Sequence, residues 1–123
     1  MKEEYNKMFY HAVLHVDLDD AKTLMLALSN AGNLLRAIQG RHYDLVILFN
    51  GPAVSLLQSE HCAPYREEIR QLQQARVSFK VCRNALNHFN INPDRLIEGC
   101  EIVPAGIVAL IELQKDGYAY IKP

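Results

Sequence analysis

The chain has no tryptophan, only three cysteines in 123 residues, and no two cysteines in a CxxC spacing. Without that pair, redox-motif and zinc-ribbon readings lose their main signal. No block of Lys and Arg exceeds two residues and the formal charge is -1. The electrostatic footprint of a nucleic-acid binder is therefore missing. Glycine-rich dinucleotide and P-loop patterns are absent, as is the GxSxG elbow, so those readings have nothing specific to stand on. There is no internal repeat, low-complexity segment or linker. The longest apolar stretch, Ile102 to Leu113, contains Pro104, Gly106 and Glu112 and is too short to span a bilayer. The start, Met1 to Tyr5, places no apolar run behind a basic residue, so no signal peptide is expected. A cytoplasmic protein is expected, with Cys62, Cys82 and Cys100 as free thiols.

Half of the residues are hydrophobic and 22% are charged, the balance of a globular chain rather than a disordered one. Its length suits a single domain, 1–123, with a core that needs no staples. Tyr10 to Val16 is rich in β-formers and ends in the acidic cluster Asp17 to Asp20, which suits a helix start. Leu24, Leu28, Ala31, Leu35 and Ile38 then repeat at helical spacing, with Gly40 as a stop. Asp44 to Phe49 is a continuous apolar run, the pattern of a strand buried on both faces of a parallel sheet. It ends at the breaker Asn50-Gly51-Pro52, and a loop with His61, Cys62 and Pro64 is expected behind it. Tyr65, Ile69 and Leu72 mark one face of a second helix.

Val77 to Cys82 alternates as a strand less buried on one face. Arg83 to Phe89 reads as a short helix and Asn92 to Leu96 as a capped turn with Pro93 at its first position. Ile102-Val103 is a brief strand, Ala105 to Lys115 a helix, and Tyr118 to Ile121 a last strand, parallel by default. The alternation predicts a three-layer α/β/α sandwich with a mainly parallel five-stranded sheet of the flavodoxin or Rossmann kind.

In such sheets ligands bind outside the C-terminal strand ends. Those ends carry Asp17, Asn50-Gly51, Cys82-Arg83 and Pro104, all candidates by position. Gly51 serves either close approach of a ligand or backbone, or a left-handed turn. Cys82 is the sharpest residue. It stands where a strand meets the next helix, whose N-terminus and Arg83 and Asn84 would favour a thiolate, the reactive form. The opposing reading is a small buried hydrophobe. Cys100 is expected in the core. Cys62 with His61 offers a second thiol or base near Cys82, or a surface loop with no role. His11 and His15 share one face of the first strand, and His42, His61 and His88 fall in loops or on a short helix. Only His61 and Cys62 adjoin, so no metal site is expected, and no cofactor.

The ordered set Val13 to Val16, Asn30 to Asn33, Val46 to Gly51, Val77 to Leu86, Val103 to Gly106 and Leu113 to Pro123 resembles the DsrE/DsrF-like family. No single piece is specific; the ordered set, with the ending Gln114-x-x-Gly-Tyr-x-Tyr-Ile-Lys-Pro123, carries the resemblance. That resemblance implies a flavodoxin-like sheet assembled into trimers or hexamers. In the family's sulfur-relay members a cysteine at the end of the third strand accepts a persulfide sulfur and passes it on, and Cys82 holds the matching place. Here Arg83-Asn84-Ala85-Leu86 replaces the small residues and glycine of the relay members, and is closer to the YchN-like branch. Three functions are expected from these readings. The first is a sulfur carrier or sulfurtransferase working with donor and acceptor proteins. The second is a non-catalytic oligomeric module that binds a small ligand or protein. The third is a redox sensor in which Cys62 resolves a sulfenic acid on Cys82.

Overall fold

A computed structural model describes residues 9–123; the reading of Met1 to Tyr5 lies outside the described residues. Strand β1 (Phe9–Val16) leads into helix α1 (Ala21–Ala37). Asp20 caps that helix, its carboxylate accepting from Lys22 N at 3.0 Å and from Thr23 Oγ1 at 3.2 Å. Strand β2 (His42–Phe49) follows, and Leu45 to Phe49 are all buried, as the unbroken apolar run requires. Next come a 3₁₀ segment over Gly51–Leu57, the short helix α2 (Ser59–Cys62), and α3 (Arg66–Gln74). Strand β3 (Ser78–Cys82), helix α4 (Arg83–His88), strand β4 (Cys100–Val103), helix α5 (Gly106–Lys115) and strand β5 (Ala119–Ile121) complete the order.

The sheet runs β4-β3-β2-β1-β5 and every pairing within it is parallel, the last strand included. The chain steps from β1 to β4 in one direction, then returns across the whole sheet to pair β5 with β1. Right-handed crossovers therefore place α1, α3 and α4 on one face and α5 on the other. The packing agrees. Leu14, Val16, Ile47, Phe49, Phe79 and Val81 join Leu24, Leu28, Ile69 and Leu86 in the larger core. The opposite face buries Val13, Val46 and Leu48 under Leu110 of α5.

Three local expectations need correcting. Residues 51–57 and 59–62 are helical turns rather than loop. Pro52 presets the first turn, and Ala53, Val54, Leu56 and Leu57 supply buried surface that a solvated loop would not carry. His42 opens β2 instead of lying in a loop, and stacks on Phe9 with centroids 5.0 Å apart. Strand β4 begins at Cys100, two residues before the apolar pair that announces it. No helix among the described residues is long and apolar enough to cross a membrane.

Candidate functional site

Strand order decides where a ligand crevice opens. The helix after β3 turns to one face and the helix after β4 to the other, so neighbouring strand ends part between β3 and β4. That is the topological switch point at which open α/β sheets bind ligands. Cys82 and Val103 are register partners there. Side chains alternate along a strand, so Cys82 shares with Lys80 the side of the sheet toward α5, while at the strand end it also packs into the larger core with Ala85 and Leu86.

The Cys82 sulfur accepts the backbone N–H of Gly106, the first residue of α5, at 3.3 Å. Helix α5 spans ten residues, enough to give its free N–H groups a directed positive end. A glycine at 106 is required by space. A Cβ there would lie 2.9 Å from Asn50 Cβ and 3.2 Å from Cys82 Cβ. Asn50, just past β2, thus closes the third side of the contact, with its amide nitrogen 3.4 Å from the same point.

Asn50 is held from beneath. Its amide oxygen accepts from His15 Nε2 at 2.7 Å, and the other ring nitrogen, Nδ1, lies 2.7 Å from the Tyr120 hydroxyl. An amide oxygen can only accept, so the Nε2–H tautomer is required. The edge strand β5 thereby reaches β2 through a side chain of β1. Beside it Lys122 pairs with Asp17 and reaches the His15 carbonyl at 3.5 Å. The Lys122 hydrogen bond holds the Asp17 carboxyl below the usual carboxylate range.

The profile of the DsrE/DsrF-like family matches residues 11–123. The chain belongs to that family. Among solved structures, the protein of unknown function MTH1491 from Methanobacterium thermoautotrophicum superimposes with a TM-score of 0.84 at 28% identity. That match covers 93% of this chain and 99% of that one. The ychN protein of E. coli gives 0.74 at 18% identity over 93% and 99%. BT1422 from Bacteroides thetaiotaomicron, also of unknown function, gives 0.70 at 18% over 95% and 96%. No curated protein matches. This family's sheet is therefore the frame in which Cys82 sits.

The candidates chosen from sequence separate into two groups. Asp17, Asn50, Gly51 and Cys82 come together at the strand ends. Gly51 meets both of its readings, with φ +56° and the Asp17 carbonyl 3.4 Å from where its Cβ would stand. Arg83, Asn84 and Pro104 are exposed around them. Arg83 makes no ion pair or hydrogen bond among the described residues, and the N–H directed at the sulfur comes from α5 rather than from the six-residue helix behind Cys82. Cys62 is fully buried, with burial pushing its thiol up. The Cys100 thiol is pushed up to about 12, chiefly by burial. Cys100 pairs with Phe79 at the far end of β3 from Cys82. His61 is engaged locally, its Nδ1 lying 2.9 Å from the Ser55 carbonyl. Four surface cavities of 430 to 620 Å³ have linings that exclude Cys82, and Cys82 itself is buried, 7% exposed.

His15, Tyr120, Lys122 and Gly106 belong to the cluster, yet reasoning from sequence does not single them out as site residues; it places His15 only on one face with His11. Extending that parity to Asn50, two residues beyond the partner of His15 in β2, is the signal that links the two.

Proposed function

We propose that Cys82 carries persulfide sulfur. The observation that supports this most is the Gly106 N–H directed at its sulfur from the start of α5, at the sheet's switch point. A donated N–H and a helix N-terminus meet the sulfur at the point where charge is exchanged during transfer. In the first step the Cys82 thiolate attacks the outer sulfur of a donor hydropersulfide R–S–SH. A new S–S bond forms, the donor's S–S bond breaks, R–S⁻ leaves, and the proton stays on the transferred sulfur. An acceptor thiolate takes that outer sulfur by the same displacement and returns Cys82 as thiolate.

The family membership supports this assignment over a purely structural cysteine. A sensor built on Cys62 and Cys82 is less favoured, because Cys62 is fully buried and burial pushes its thiol up, away from the thiolate that would resolve a sulfenic acid. Exposed apolar side chains also favour a working unit larger than one chain. Ile107, Val108 and Ile111 of α5 and Tyr120 and Ile121 of β5 are exposed, and we propose this face for self-association.

Intact mass spectrometry after incubation with a hydropersulfide donor tests the carrier. Wild type should gain the mass of one sulfur atom, and Cys82→Ser should not. An adduct that persists in Cys82→Ser, or none in wild type, overturns the assignment.

A further inference from the structure

We propose that His15 and Tyr120 are positioning residues for Cys82, acting through the orientation of the Asn50 amide. The inference rests on Cys82 being the working thiol.

The Asn50 side chain can sit either way round at nearly equal volume, and the two orientations are opposite in effect. As observed, the oxygen is bound by His15 Nε2–H and the nitrogen faces the Gly106–Cys82 contact. That nitrogen carries two N–H donors. Among the described residues the Gly106 N–H is the donor bonded to the sulfur; the Asn50 donors stand beside that contact and would add to it for a perthiolate. The flipped amide would instead turn its carbonyl oxygen, a negative dipole end, toward an anionic sulfur.

His15 prevents the flip only while its proton is on Nε2. The Tyr120 hydroxyl, 2.7 Å from Nδ1, favours that tautomer, because a phenol donates to an imidazole nitrogen more strongly than it accepts from an N–H. Without it that preference is lost, and a ring with its proton on Nδ1 would accept at Nε2 from the Asn50 nitrogen and hold the amide the wrong way round. One hydroxyl on the edge strand therefore biases a donor two strands away. His61, the other histidine considered for this role, reaches only its own turn.

The test is the second-order rate at which iodoacetamide alkylates Cys82, read by peptide mapping so that Cys62 and Cys100 are counted separately. This rate reports the reactivity of the sulfur whether or not sulfur is carried. His15→Leu should slow it by about ten- to a hundredfold, by analogy with the loss when an outer partner that orients a metal ligand is removed. Tyr120→Phe should slow it in the same direction by a smaller factor. His15→Gln, which keeps one donor and one acceptor, should recover most of the loss. Asn50→Asp, nearly isosteric but negative, should be slower than His15→Leu. His11→Ala, on the same strand and face, is the control expected to match wild type. If Tyr120→Phe and His15→Leu are folded and alkylate at the wild-type rate, the proposal is wrong. If His15→Leu unfolds, Tyr120→Phe decides alone. A graded alkylation series without sulfur uptake would refute the carrier and leave the positioning intact.

Discussion

Replacing Gly106 with alanine gives the sharpest check on the geometry, because the same substitution at Gly32 should act in the opposite direction. An added methyl at 106 would lie 2.9 Å from Asn50 Cβ and 3.2 Å from Cys82 Cβ, whereas carbon pairs settle at about 3.5 to 4.0 Å. Both neighbours are first side-chain carbons, fixed to the ends of β2 and β3, so neither can swing away. Relief requires moving α5 or the strand ends, at a cost of about 1 to 3 kcal/mol. Gly106 is the first residue of α5 rather than a mid-helix position, so no helical gain offsets this and the net loss is about 1 to 3 kcal/mol. At Gly32, inside α1, the new methyl would meet only the mobile Arg36 guanidinium at 3.4 Å. There the helical gain of about 0.5 to 1 kcal/mol should appear undiminished. Urea unfolding of both variants reads the difference, since a slope of about 1 to 3 kcal/mol/M turns these energies into midpoint shifts of opposite sign. Gly106→Ala should also change the rate of Cys82 alkylation, because α5 carries the N–H that reaches the sulfur. A Gly106→Ala protein as stable as wild type would show that α5 does not approach β2 and β3 as described.

Tyr118 donates to Asp44 and is partly buried, and these push its phenol up to about 12, burial first. Its stabilising contribution should be complete below the unfolded value of about 10 and vanish as pH rises through 12. In a spectrophotometric titration Tyr118→Phe should remove the last phenol to ionise, and loss of an earlier step instead would contradict the contact. Asp17 behaves in the opposite sense. Its lowered carboxyl contributes above the unfolded value of about 3.9 and loses that contribution as pH falls through the folded one. Both it and Lys122 are some 40% exposed (39% and 42%), so Asp17→Asn should cost only about 0.2 to 1 kcal/mol near neutrality. A penalty that survives in strong acid would place its cause elsewhere. For self-association, sedimentation should show a species heavier than the 14.0 kDa chain, shifting toward that mass in Ile111→Asp. A single species at the mass of one chain in wild type would end that reading.

Much of the fold is legible in the sequence because two periodicities carry it. The unbroken run from Leu45 to Phe49 announces a strand covered on both sides, and the spacing of Leu24, Leu28 and Ala31 announces the helix that covers one of them. The turns at 51–57 stay hidden because Asn50-Gly51-Pro52 signals a break but carries no period that would mark a helical segment. The site is half legible. Position alone brings Asp17, Asn50, Gly51 and Cys82 forward, since all stand at strand ends. What no local pattern contains is strand order. Only the return of β5 to the side of β1 sends α5 across the other face, which exchanges the expected helix behind Cys82 for one that begins at Gly106. The same return brings Tyr120 and Lys122 to His15 and Asp17.

Those last contacts join residues 105 positions apart, through an edge strand of only three residues. Long-separation contacts are the costliest to close and form late in folding, while short edges open first in the native state. The order of events is thus built into the topology. During synthesis the sulfur can meet α5 before the tyrosine arm exists, and in the finished protein that arm should detach before the sheet does. Amide exchange in β5 would then measure how often His15 loses the contact that biases its proton, without the rest of the chain unfolding.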